Sequence, residues 1–264
     1  MLILLHLKED DMIDIHTHIL PETDDGADSL TEAVEMLKIC TQSGVTDVVL
    51  TPHGNLTEIF PESRQESINN QFKRLEKRLS ELNMQINIYK GMEVFASYNL
   101  YDKLSDGTIW TLNQSKYLLT EFSFDTDREI LFELLQIIES KGLIPVIAHP
   151  ERYKTIQKNP QIAYDWNRRG YIIQINKGSI AGVFGRAEKE TAHLLLDCNL
   201  VQVIASDCHH IHSRMPGLKS VYRYISRNYS EGYAQILFNI NPERILRDQQ
   251  VLIINPRVPG SYLY

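Results

Sequence analysis

Histidines and acids in this 264-residue chain fall where short apolar runs stop. His16 and His18 follow the run at 13–15, His53 follows 47–50, and Glu93 follows 87–89. Glu121 follows 117–120, His149 follows 144–148, and Asp207 and His209 follow 201–205. Eight side chains of the kind that ligate metals therefore end six apolar runs. Residues two apart on an extended strand point the same way, so Asp14, His16 and His18 share a side and Asp207 pairs with His209. Imidazole and carboxylate without thiolate suit Mn²⁺, Fe²⁺, Zn²⁺ or Co²⁺ better than a structural zinc site does. So many donors point to two or three ions, and a carboxylate such as Glu93, with two oxygens, is a natural bridge.

Each of these residues alone has a plainer use. A strand-end histidine is usually a structural or surface residue, and Glu93 or Glu121 alone caps a helix or meets a lysine. Their joint occurrence favours metal, with His6, His193, His210 and His212 as background. Two arginines belong to the same rim: Arg152 lies three residues beyond His149, and Arg214 lies five beyond His209. A guanidinium grips two phosphate oxygens in a fork, which lysine does not do. The competing reading for each arginine is a surface salt bridge.

The elements that must hold these groups are legible in the spacing. Seven β-branched apolar runs begin at 13, 47, 87, 117, 144, 172 and 201, separated by 34, 40, 30, 27, 28 and 29 residues. That is the repeat of a strand plus a helix, so a parallel α/β sheet is expected, either an open sheet or a barrel. Ligands in such folds collect at the carboxyl edge. The sequence Ser29-Leu-Thr-Glu32 reads as a capping box before a helix carrying Ala33, Val34, Leu37 and Cys40. Helical patterns also cover 64–82, 127–140, 160–169 and 187–197, with Gly142, Gly170 and Asn199 as stops. Beyond Ala205, 219–227 and 230–238 read as helices, and Asn241 reads as the cap of a last one with Pro242 in its first turn.

Composition removes several classes. With 27 Lys+Arg against 34 Asp+Glu the net charge is −7 and no basic run occurs, which argues against a nucleic-acid clamp. At 43% hydrophobic and 23% charged, the chain can bury a full core rather than remain disordered. The length favours one α/β domain. Three cysteines, Cys40, Cys198 and Cys208, imply no disulfide framework and fit a reducing, cytoplasmic setting. No apolar stretch approaches the ~20 residues of a membrane helix, so no membrane insertion is expected. The apolar start is too short for a signal core and lacks a positive n-region. The expected division is an N-terminal extension at 1–11, a barrel at 12–250 and an irregular tail at 251–264.

Together the motifs resemble a known family. Met12-Ile-Asp-Ile-His16-Thr-His18, Asp24-Asp25-Gly26, Thr51-Pro-His53, Gly91-Met-Glu93, Thr120-Glu121-Phe122, Val146-Ile-Ala-His149-Pro-Glu-Arg152 and Ala205-Ser-Asp207-Cys-His209 carry the likeness. Their order is similar to that of the polymerase and histidinol phosphatase (PHP) superfamily. Within it they most resemble the bacterial manganese-dependent protein-tyrosine phosphatases of capsule and exopolysaccharide loci. The resemblance spans Met12 to about Gln250. It implies a single-domain α/β fold, a distorted (β/α)₇ TIM-like barrel, with two or three Mn²⁺ ions. It assigns His16, His18, Glu93 and Asp207 to one ion, Glu93, Glu121 and His149 to a second, and Asp25, His53 and His209 to a third. Arg152 and Arg214 match phosphate-contacting arginines. The implied reaction is attack on phosphorus by a metal-bridging hydroxide, without a covalent phosphoenzyme. The implied substrate is phosphotyrosine on the tail of a membrane-associated tyrosine autokinase that controls polysaccharide synthesis.

The stretch 207–214 departs from that pattern, with Cys208 between two ligands and His210 and His212 as further candidates for a ligand or substrate contact. Cys208 and Arg214 also fit Cys-x₅-Arg, the cysteine phosphatase signature. No glycine lies between them to let backbone amides cradle a phosphate. A small-molecule phosphatase, such as a histidinol phosphatase, and a non-catalytic binding module are the rival functions.

Overall fold

A computed structural model describes residues 11–54, 62–105 and 107–260; the expected N-terminal extension lies almost wholly outside the described residues. All seven expected runs form strands: β1 (Met12–Thr17), β2 (Val45–Leu50), β3 (Asn87–Lys90), β5 (Tyr117–Glu121), β6 (Ile144–Ala148), β7 (Ile172–Asn176) and β8 (Val203–Ala205). A further strand, β4 (Val94–Phe95), is absent from the periodicity, because two residues are too few to show a period. Every pairing is parallel and follows chain order, in one sheet of β1 to β3 and a second of β4 to β8.

The single seven-stranded sheet expected from the sequence is thus two sheets. At each seam the ladder shrinks to one bridge, Thr17 with Cys208 and His53 with Glu93. The backbone amide of His18 donates to the Cys208 carbonyl at 2.9 Å, and that of Asp207 to the His16 carbonyl at 2.9 Å. Regular pairing stops because candidate ligands occupy these positions: Asp207 has φ 50°, outside the extended range a strand needs. Both sheets nevertheless contribute to one apolar cluster, where Ile13, Ile15 and Val49 join Leu119, Val146 and Val203, with Ile245 and Val251 packed in. A larger cluster fills the space between strands and helices.

The helices follow the periodicity closely, at Leu30–Gln42, Glu62–Glu81, Arg128–Ser140, Gln161–Arg168, Arg186–Asp197 and Lys219–Asn228. Gly142, Gly170 and Asn199 all take positive φ as their stops. Only half the capping box forms. Ser29 accepts from the Glu32 amide, but Glu32 reaches the Asp28 amide instead of returning to Ser29. The reading of Asn241 as a helix cap is corrected. A π-helical turn, Ile236–Ile240, runs straight into Asn241–Leu246, and the buried Asn241 side chain bonds the backbone of Gln202 and Leu252.

A candidate metal centre

The nine candidate ligands converge at the carboxyl edge of the strands. His16 Nε2 lies 3.2 Å from Glu93 Oε1 and 3.4 Å from Asp207 Oδ1, while His18 Nε2 lies 3.3 Å from Glu93 Oε2. His53 stands 3.3 Å from Asp25, 3.2 Å from Glu93 and 3.4 Å from Glu121. His149 Nε2 is 3.0 Å from Glu93 and 3.8 Å from Glu121, and His209 Nε2 is 3.4 Å from Asp25. Four overlapping groups each bring their donor atoms within 4.8 Å of one another: His16, His18 and Asp207; His18, Asp25, His53 and His209; His16, Glu93 and His149; His53, Glu93 and Glu121. Glu93 sits in the middle, buried at the seam between the sheets.

Tight turns aim these groups. His149, Asp207 and Arg214 all adopt left-handed backbone, with φ of 37°, 50° and 47°. Such strain in non-glycine residues is a feature of functional sites. At His149 it starts a 3₁₀ turn, Pro150–Arg152, that brings Arg152 back to the rim. The arginines are not surface salt bridges. Arg214 pairs with Asp207 and its Nη1 donates to His209 Nε2 at 2.9 Å, while Arg152 Nη1 lies 3.9 Å from the same carboxylate.

The electrostatics are those of crowded acids and imidazoles. Burial disfavours charge on His53, yet Glu121 and Glu93 overcome it and push its pKa up to about 10. Burial and the His18 charge instead hold His209 down to about 3, leaving it neutral as an acceptor for Arg214. Burial opposes ionisation of Glu93 and Asp207, but the surrounding imidazoles hold both well below the usual carboxylate range.

Outer contacts orient the candidate ligands. His18 Nδ1 donates to Asp24 at 2.7 Å, and Asp24 also accepts from the Gly26 and His53 amides. A second series links three strands: Asn176 Nδ2 donates to Asp207 at 2.6 Å, Gln174 Nε2 to Asn176 Oδ1 at 2.9 Å, and His16 Nδ1 to Gln174 Oε1 at 2.8 Å. An ionised carboxylate only accepts, so each amide must face as described and His16 must carry its proton on Nδ1. Its Nε2 is thereby the atom that faces the cluster. Sequence reasoning misses Asp24, Gln174 and Asn176 as functional residues. Asp24 stands beside an expected ligand, whereas the amides on β7 carry no titratable group, and their alternation at the strand's end is the only signal of them.

Divalent cations fit this donor set. Asp207 Oδ1 and His53 Nδ1, both facing the cluster, are buried without hydrogen-bond partners, and the cluster offers only nitrogen and oxygen. Other candidates lie apart. Asp14 accepts from the Ser206 amide, His210 meets Glu32, and His212 is exposed. Cys208 is fully buried against apolar neighbours, with its thiol pushed up to about 12 by burial and Asp14, which removes it as a thiolate nucleophile.

A model of the family described as capsular polysaccharide synthesis, CpsB/CapC, matches residues 12–247. The chain belongs to the CpsB/CapC family. Its relatives include the tyrosine-protein phosphatase YwqE of Bacillus subtilis, 32% identical over 91% of this chain and 93% of YwqE. The tyrosine-protein phosphatase CpsB of Streptococcus pneumoniae is 34% identical over 91% of this chain and all of CpsB. A crystal structure from work on YwqE and CpsB, described as unique metal-dependent tyrosine phosphatases, superposes with a TM-score of 0.84 at 31% identity. It covers 94% of this chain and 99% of the other. CpsB/CapC membership thus agrees with the resemblance carried by the motifs. Among the described residues no helix is long and apolar enough to cross a membrane.

Proposed function

We propose that this chain is a metal-dependent protein-tyrosine phosphatase acting on a phosphotyrosine protein. The observation that carries the reading is the convergence of nine ligand-type side chains at one edge, with two arginines on the buried Asp207 carboxylate, in a chain of the CpsB/CapC family. Bound divalent ions supply Lewis acidity and a water of lowered pKa at neutral pH.

The residues that would hold them are His16, His18, Glu93 and Asp207 for one ion, Glu93, Glu121 and His149 for a second, and Asp25, His53 and His209 for a third. Manganese is the proposed metal, with iron, zinc and cobalt fitting the same donors. Arg152 and Arg214 grip the equatorial phosphate oxygens and offset the charge that grows there during in-line displacement. Gln174 and Asn176 fix the tautomer and orientation beneath. Phenolate, with a pKa of about 10, is a fair leaving group and needs modest protonation.

The two sheets are proposed to work as one distorted (β/α)₇ barrel, supported by their common core and bridged seams. Residues 12–250 form its catalytic unit and 251–264 its tail. The proposed substrate is the tail of a tyrosine autokinase controlling polysaccharide synthesis, and the proposed compartment is the cytoplasm, where Cys40, Cys198 and Cys208 would remain free thiols.

The test is hydrolysis of a phosphotyrosine peptide and of histidinol phosphate by manganese-loaded protein, before and after chelation. The peptide should turn over faster and chelation should abolish the activity. Activity that survives complete metal removal, or a preference for histidinol phosphate, would overturn the reading.

A further inference from the structure

Two aromatic rings stand over the arginines and take no part in the metal cluster. The Arg152 guanidinium carbon lies 4.4 Å from the centre of the Phe124 ring and 4.8 Å from that of Phe184, and Arg214 lies 5.8 Å from Phe184. Phe124 also meets the His149 ring edge-on at 6.1 Å. Neither ring is spent on the core: Phe124 is 38% exposed and Phe184 is half-buried.

Their placement is built. Phe124 follows β5, and its carbonyl accepts from the Lys154 amide at 2.8 Å. Phe184 lies between the helices Lys177–Ala181 and Arg186–Asp197, with its ring on Gly178. A Cβ at Gly178 would stand 2.7 Å from Phe184 Cε2, so the missing side chain is what allows the ring to lie there.

A ring stacked on the face of a guanidinium leaves its N–H edge free for phosphate oxygens. A phosphate gripped by that edge carries its organic group beside the same rings. Aromatic pairs attract at centroid separations of about 4.5–7 Å, whereas an alkyl group gains no such contact. We propose that Phe124 and Phe184 determine specificity, steadying Arg152 and receiving the aryl ring of the phosphate ester. The inference rests on the phosphatase reading and deepens it: the site selects aryl over alkyl phosphates.

The experiment compares binding of phenylphosphonate and methylphosphonate to the manganese-loaded protein by calorimetry, in wild type, Phe124→Leu, Phe184→Leu and Gly178→Ala. Leucine keeps the apolar volume without the ring, and Gly178→Ala displaces Phe184 while leaving both rings in the sequence. Wild type should prefer the phenyl compound, and each variant should lose roughly three- to tenfold of that preference. A matching fall in the ratio of kcat/KM for phosphotyrosine over phosphoserine peptides should accompany it, appearing mainly in KM. A wild type that binds both phosphonates equally, or variants that keep the preference, would overturn the inference alone. A wild type that binds neither and hydrolyses no phosphotyrosine peptide would remove the phosphatase reading as well.

Discussion

Asp207 must satisfy an amide, an arginine and several imidazoles with one carboxylate, and the residues around it divide by how visible they are in the sequence. Eight of the nine candidate ligands announce themselves by falling after apolar runs, whereas Asp25, in the turn before Gly26, is marked only by the resemblance. Gln174 and Asn176 carry neither signal, because an amide at a strand end has many uses and only the folded neighbourhood reveals that these two link His16 to Asp207. Gln174→Leu should therefore weaken manganese binding by about 10- to 100-fold, read by calorimetry, with little change in the far-ultraviolet circular dichroism spectrum. Unchanged affinity would assign Gln174 a packing role only. Cys208 and His149 make a sharper pair. With its thiol buried and held protonated, Cys208→Ser should keep most aryl-phosphatase activity, whereas His149→Ala should lose about a hundredfold or more. The reverse result would restore a thiolate mechanism.

At the scale of elements, strand and helix positions are readable because apolar period and stop residues agree along most of the chain. The exceptions have local physical causes. β4 is too short to show a period, and Asn241 looks like a cap because of Pro242 beside it, while its side chain instead completes hydrogen bonds of buried backbone. Asn241→Ala should cost roughly 1–3 kcal/mol in urea unfolding, since a donor and acceptors at Gln202 and Leu252 lose their partner. A cap role alone would leave Gln202 and the 251–254 segment undisturbed in hydrogen exchange. The loop carrying Asp24 and Asp25 turns on Gly26, where a Cβ would approach the His18 carbonyl oxygen to 1.9 Å. Gly26→Ala should lower stability by about 1–3 kcal/mol and loosen metal binding together, because the backbone must move and Asp24 and Asp25 move with it. A thermal melt and a metal titration that both match wild type would refute this.

For the whole molecule, the spacing of apolar runs points to parallel strands and one carboxyl edge, but not to the division into two sheets, because strand-to-strand hydrogen bonding at the seams depends on where the ligand turns fall. Cations at that edge would bind the native state and not an unfolded chain, so chelation should lower the thermal midpoint by roughly 5–10 °C, reversed by added manganese. An identical midpoint with and without metal would show that the ligands are held by the protein alone.

The amide series between His16 and Asp207 has a further consequence for how the protein is made. Its first contact joins positions 158 residues apart, and Asp14 reaches Ser206 across 192. Contacts so distant in sequence form only after loop closure over most of the chain. A nascent polypeptide emerging from the ribosome therefore displays its early histidines long before Asp207 and His209 exist beside them. The complete donor set is then a property of the finished translation product, and a partial chain would offer a metal only scattered donors.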